Sequence, residues 1–380
     1  MPAAQIYPVV NQIAQNLQWT GNAVVDATSF AAFASSVING SVEPVYNELY
    51  NLIGRTVISI DEAEEDERGI VVDAFEYGSI LQKLSFISQA AQTNSDYDIA
   101  NPENPYTVAG KTGIVQKFFE QKIPTFAWED VAYDKQIREA FHSPERLAGF
   151  IEGLYTRMRN AYKVAKLGLS DAAIASLVGY IYSDTNDLNY SRRVRTVLTE
   201  YNTLYMGGSP LSADEALITP AYLEYVRKQI LIDRKNLNKL THLYNTIGAS
   251  GSEVPIDRRT TDGECKLDLS LFFTSSFDKY YGDTFNEQYV KFPKHNEIVN
   301  WGSATAPDTI KVSLDSGTTT ITVSDIIGVM YDKDAVVATM DRSRFVNMYD
   351  QWNDRNVFKL AADRRYVIDP TENAIIYLNQ

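Results

Sequence analysis

A helix start and an unusually long apolar stripe meet at Ser143. Ser143 offers an N-cap, Pro144 suits the first helical position, and Glu145 complements the helix dipole. From there Leu147, Ile151, Leu154, Met158, Ala161 and Ala165 recur at helical spacing, with Arg146, Arg157, Arg159, Lys163 and Lys166 opposite. The spacing predicts an amphipathic helix over 144–167, about 36 Å long at the usual rise. Gly168 supplies a stop, and Ser170 caps a second helix running to about Ser183. A rod longer than most globular helices reads as a structural spine.

At 380 residues the chain exceeds the size at which one core stops growing, so two or more compact units are expected. Before the spine, Met1 to about Asn39 carries a single charge, Asp26, and reads as an extended arm lying on a partner. Short helical periodicities occur at Thr28 to Ile38 and Glu43 to Ile53. Val57 to Ile60 and Ile70 to Asp73 read as strands around a carboxylate run, Asp61 to Glu67, which lacks the alternation and central glycine of a calcium loop. Two β-like runs, Leu84 to Ser88 and Ile114 to Phe119 continuing to Val131, flank a polar stretch from Thr93 to Gly113. A connection of about 20 residues is too long for a compact hairpin, so it is expected to project or to bind something. The aromatic flanks Phe118, Phe119, Phe126 and Trp128 point to burial against another surface.

After the spine, helices are expected over Tyr190 to Tyr205 and Pro220 to Thr241. An alternating strand follows at Cys265 to Leu271, then a hairpin from Ile310 to Val323 turning at Asp315-Ser316-Gly317, and a strand-rich tail from Ala335 to Leu378 broken at Pro370.

Several function classes are disfavoured. With 35 Lys+Arg against 49 Asp+Glu the net charge is −14, opposite to a general nucleic-acid reader. The single cysteine, Cys265, makes no internal disulfide, and His142, His242 and His295 lack ligand spacing. The first basic residue is Arg55, so no secretory or transit signal is read, and no apolar run approaches the length of a membrane helix. Gly110-Lys111-Thr112 lacks the first glycine of a phosphate loop, Pro105 standing there, and Gly248-Ala249-Ser250-Gly251 misses nucleophile-elbow spacing. His295 beside Glu297 offers a general base without an ordered nucleophile. Asn39-Gly40-Ser41 and Asn189-Tyr190-Ser191 match glycosylation acceptors without an export signal. No catalytic, cofactor-binding or metal residue is assigned, and no cofactor is expected. The aromatic content of 24 Tyr, 16 Phe and 4 Trp is unusual. Pairs in polar surroundings, Tyr280-Tyr281 and Tyr46 with Tyr50, point to contacts between chains, with ordinary core packing as the alternative.

The C-terminal stretch from Asp334 to Asn379 resembles the major capsid proteins of tailed bacteriophages with the Hong Kong 97 phage fold, most like those of small short-tailed phages of Gram-positive hosts. In that family a strand leads to two long antiparallel strands and a final Ile-Ile strand. Ala335 to Thr339, Ser343 to Tyr349, Val357 to Ala361, Arg365-Tyr366, Pro370 and Ala374 to Leu378 fill those places, and Ile326-Ile327-Gly328-Val329 is also familiar from such coats.

The resemblance implies an α+β capsid fold. Residues 1–55 would be the N-terminal arm, 85–135 the extended β loop, and 56–84, 136–167 and 335–366 the peripheral domain with its spine helix. Residues 168–334 and 367–380 would be the axial domain. It further implies a virion coat assembled from hexamers and pentamers around double-stranded DNA without sequence-specific contact. A separate scaffolding protein and a portal would be partners, with no membrane and no catalysis. Neither Lys111 nor Lys117 aligns with the isopeptide-forming lysine of certain relatives. The alternatives are an encapsulin-type compartment shell holding enzyme cargo, a small-substrate α+β enzyme using Glu297 and His295, and a tail or adhesion binding module.

Overall fold

The computed structural model describes residues 6–19, 21, 23–39, 44–45, 47–49, 52, 68–72, 80–86, 114–120, 125–247, 256–281, 292–302, 305–314, 319–350, 352–353 and 355–380. The chain divides into two compact units, each assembled from distant stretches. The first takes residues 1–76, 122–170 and 338–365, and the second 77–121, 171–337 and 366–380.

In the first unit the N-terminal residues are helical: α1 (Ile6–Asn16) and α2 (Ala27–Asn39). Val10, Ile13 and Ala14 of α1 are buried, as are Phe30, Phe33, Ala34 and Val37 of α2. Asn11 pins the connection between them, donating to the Val24 carbonyl at 2.8 Å and accepting from the Val24 N–H at 2.7 Å. Asp26 caps α2 by accepting from the Ser29 N–H at 2.8 Å. These faces join Ala132, Ile137, Phe141, Leu147, Ile151, Leu154, Met158 and Phe358 in one core, with Trp19 edge-on to Phe33 at 5.2 Å. The reading of Met1 to Asn39 as an arm extended on a partner is therefore corrected. A charge-poor amphipathic segment needs an apolar surface to cover it, and here its own chain supplies one.

A four-stranded sheet completes this unit in the order β1, β11, β12, β4: β1 is Val71–Val72, β4 Thr125–Tyr133, β11 Val336–Asp350 and β12 Arg355–Ile368. β12 and β4 are antiparallel, from Arg355 opposite Tyr133 to Asp363 opposite Thr125. Trp128 packs on this unit's own core. Phe118, Phe119 and Phe126 fall outside the described side chains. Asp130, buried in β4, forms an ion pair with Arg157. A short helix, α3 (Asp134–Ala140), leads to the spine.

The spine, α4, is one helix from Pro144 to Ser183, about 60 Å long, rather than two helices meeting at Gly168. A mid-helix glycine costs about 1 kcal/mol. Beyond it Leu169, Ala173, Ile174, Leu177, Val178 and Ile181 are buried, each large side chain contributing about 1.5–3 kcal/mol. Burial outweighs the local stop. The continuous helix is also long and apolar enough, by composition, to cross a membrane, contrary to the expectation from shorter runs. More than half of that stretch is buried inside the protein, as in a core helix.

The second unit is built on a five-stranded sheet in the order β5, β13, β10, β6, β7. These are Val194–Thr196, Ala374–Leu378, Ile326–Asp332, Cys265–Ser270 and Asn296–Ile298. β10 and β13 are buried along their whole length, and β6 is buried on both faces except at Lys266, so the expected alternation is absent. Gly328 permits the close approach of β10 to β6: a β-carbon there would lie 2.7 Å from the Asp268 carbonyl oxygen.

Residues 190–206 correct another expectation. In place of one helix there are α5 (Tyr190–Arg193), β5, α6 (Val197–Tyr201) and a π-helical turn, Asn202–Met206, closed by Gly207 at φ +51°. Val194 to Thr196 pair in parallel with Ile376 to Leu378, so sheet pairing overrides the helical period there. Helices α7 (Ala213–Leu217), α8 (Pro220–Leu237) and α9 (Leu271–Tyr281) follow. The expected hairpin is present as β8 (Ile310–Leu314) and β9 (Thr319–Val323).

β2 (Ile80–Phe86) and β3 (Ile114–Glu120) form an antiparallel pair closing with Phe86 opposite Ile114. β4 is a separate strand, not a continuation of β3. The loop between β2 and β3, residues 57–60, the acidic run 61–67, Gly110-Lys111-Thr112, Gly248-Ala249-Ser250-Gly251 and the side chains of Tyr46, Tyr50 and Tyr281 lie outside the described residues.

Candidate assembly surfaces

The titratable groups singled out in the sequence do not converge. His295 Nδ1 is 2.9 Å from the Pro293 carbonyl oxygen, and Nε2 is 3.9 Å from Glu297 Oε1. No nucleophile joins them among the described residues. A second pair that the sequence did not suggest, His242 Nδ1 with Asp257 Oδ1 at 2.9 Å, is equally without one. Among the described residues no group of three or more His, Cys, Asp or Glu side chains could hold a metal ion. Cys265 is buried, and burial pushes its thiol up to about 11, away from nucleophilic use. Asn189 is buried, its amide donating to the carbonyls of His242 at 2.7 Å and Asn245 at 2.9 Å, so a glycan has no access.

The buried polar groups of the second unit are used to join elements. Arg193, 1% exposed, reaches Asp187 Oδ2 at 3.1 Å, the Thr246 hydroxyl and the Pro370 carbonyl. Arg195 joins Glu200 and, at 2.8 Å, Asp233, whose Oδ2 also accepts from the Tyr377 hydroxyl at 3.1 Å. Burial raises the Asp233 carboxyl above its ordinary value, against the pull of Arg195 and Tyr377. Burial also lowers the Arg195 guanidinium, but Glu200 and Asp233 outweigh it and leave it above its ordinary value. Such a network binds strand to helix.

The tyrosines divide between two roles. Tyr201, Tyr222, Tyr225, Tyr331 and Tyr377 are core residues, so much of the aromatic excess is ordinary packing. Tyr280 is partly buried against the same core. Other apolar groups face outward. On the first unit Trp352 is 96% exposed in the turn between β11 and β12, with Val346 and Met348 exposed on β11 and Val164 and Leu167 on α4. Burying a tryptophan removes some 150–250 Å² from water, so an isolated copy leaves a large gain unrealised at that turn. The sequence held this signal: Gln351-Trp352-Asn353-Asp354 puts an indole where turns favour small polar residues.

On the second unit Leu204, Tyr205, Ile218, Ile232, Leu240 and Phe272 are exposed. This unit also carries a cavity of about 230 Å³. Leu217, Phe272, Phe273, Pro307, Ile326 and Ile327 supply its apolar lining, and Asp214, Asp308 and Asp325 its charge. The described surface thus carries exposed apolar groups and an acid-lined cavity.

No curated protein sequence matches the chain. Among solved structures, the capsid of Staphylococcus phage Andhra superposes with a TM-score of 0.55 at 10% identity, covering 83% of this chain and 84% of that one. A chain in the structure of the head fibre and inner core protein of native bacteriophage P68 also gives 0.55, at 12% identity, over 83% and 85%. The mixed helix and strand architecture is thus the Hong Kong 97 type of phage capsid fold. The family model for the Phi29-like phage major capsid protein matches residues 6–378. The chain belongs to the Phi29-like phage major capsid protein family, and its place is the capsid of the virion.

Proposed function

We propose that many copies assemble as hexamers and pentamers of an icosahedral head enclosing double-stranded DNA, without catalysis. The family match over residues 6–378 carries this reading. The outward-facing Trp352, Val346 and Met348 support it, being apolar surface that a neighbouring copy would cover. The first unit acts as the peripheral domain with residues 144–170 of α4 as its spine, and the second, apart from β2 and β3, as the axial domain. The β2–β3 excursion serves as the extended loop and lies over a neighbour's spine, where Val164 and Leu167 are exposed. The net charge of −14 suits a wall that encloses DNA without retaining it. A separate scaffolding protein and a portal complete the assembly. The head belongs to a small short-tailed phage of a Gram-positive host.

Assembly draws on many modest contacts. Obligate interfaces bury about 2,000–5,000 Å² in total, and ordering the loop offsets part of the gain. Closure is therefore cooperative and depends on concentration. Electron microscopy of the expressed protein, with and without a co-expressed scaffolding protein, tests the reading. Closed shells are expected, and a chain that stays monomeric in both conditions at high concentration would end it.

A further inference from the structure

The second unit presents two bare faces of opposite charge. The first is the cavity bounded by α7, the start of α9 and the start of β10, with Asp214, Asp308 and Asp325 among its lining residues. Among the described residues none of these three carboxylates pairs with a cation. Asp308 accepts from the Thr309 hydroxyl at 3.2 Å, and Asp325 from the Ser324 hydroxyl at 2.9 Å and the Gln380 amide at 3.4 Å. Phe272, 54% exposed, adds an aromatic ring to the lining. At about 30 Å³ per water the cavity exceeds what a lysine side chain needs.

The second face runs along the C-terminal half of α8. Lys228, Ile232 and Lys235 follow at i, i+4 and i+7 and so share one side of the helix. Lys239 and Leu240 continue the pattern just past its end. All three lysines are exposed, as are Ile232 and Leu240, and none of the lysines forms an ion pair among the described residues. The two faces share no residue. Each offers what the other lacks: an apolar hollow with carboxylates, and long apolar stems carrying ammonium groups.

We propose that the acidic cavity of one copy receives the lysine-bearing face of α8 from a second copy. The contact is heterologous, one patch against a different patch, and such contacts propagate head to tail and close into rings when the rotation allows. The inference deepens the coat reading and rests on it: this would be a lateral contact within a hexamer or pentamer. Aromatic Phe272 beside an incoming ammonium adds a cation–π attraction.

Charge reversal in the full-length chain tests it. One variant carries Asp214→Lys with Asp308→Lys, and the other Lys228→Glu with Lys235→Glu. Rings and shells are counted by electron microscopy and sedimentation under conditions in which the wild type assembles. Each variant alone should lose at least about tenfold in particle yield, because like charges then face each other. Mixing the two proteins should restore even-membered rings, and placing both reversals in one chain should restore yield to within about twofold. Rescue on mixing also establishes that both variants are folded. Undiminished assembly by either variant alone, or two defects without rescue, overturns the contact while leaving the coat reading in place. Failure of the wild type to form particles, with or without scaffold, would instead remove the coat reading itself.

Discussion

Replacing the glycines of α4 should stabilise the subunit. Gly149, Gly153 and Gly168 lie inside the helix on its exposed side, none at positive φ, and a β-carbon on any of them meets no atom within 4 Å. An interior helical glycine costs about 0.5–1 kcal/mol relative to alanine, chiefly because the unfolded glycine has more freedom to lose. No steric penalty opposes the exchange, so the triple variant G149A/G153A/G168A should gain about 1.5–3 kcal/mol. All three positions belong to the first unit, of roughly 150 residues. For that size each 1 kcal/mol moves the midpoint by about 2–4 °C, which puts the expected rise at about 3–12 °C. Scanning calorimetry of dispersed subunits reads it directly. Gly168→Pro is the control: in a continuous helix it removes a hydrogen bond, clashes one turn back and costs about 3 kcal/mol or more. A triple variant melting at or below the wild-type temperature, or a Gly168→Pro variant melting unchanged, would refute the reasoning.

Other outcomes follow from equally local observations. Trp352→Ala should leave subunit melting within about 0.5 kcal/mol, because the ring touches almost nothing in one copy, yet lower the yield of particles seen by electron microscopy. Tyr377→Phe removes the hydroxyl bonded to buried Asp233 and should cost about 1.5–3 kcal/mol in denaturant unfolding, whereas the same change at exposed Tyr205 should cost almost nothing. The Thr261 hydroxyl and the Lys333 ammonium hold the Glu264 carboxyl at about 2, below its ordinary 4.5. A carboxylate depressed in the folded state adds stability that is complete above about pH 4.5 and lost as the pH falls toward 2, so Glu264→Gln should flatten that part of the acid-unfolding curve. Deleting residues 96–113 should leave folded subunits that fail to close shells; normal particles from that variant would remove the loop from the assembly mechanism.

Local pattern in the sequence determined a good deal of this protein. The N-terminal signals at Ser143, Pro144 and Glu145 start α4 where expected, the hairpin alternation matches β8 and β9, and the apolar runs at 326–329 and 374–378 are the buried centre of the second sheet. The C-terminal resemblance pointed to the capsid family that the match over 6–378 establishes. Each of these rests on neighbours a few residues apart, where periodicity, turn chemistry and capping act directly.

Only the tertiary structure decided what covers each apolar face and where weak local preferences give way. It placed α1 and α2 in the first unit's own core instead of on a partner. It carried α4 through Gly168, split residues 190–206 to pair Val194 with Ile376, and put several tyrosines in the interior. A side chain's hydrophobicity states that it gains from burial, but not whether the surface burying it belongs to the same molecule. That choice is made by residues hundreds of positions away, whose combined burial exceeds the roughly 1 kcal/mol scale of any single local signal.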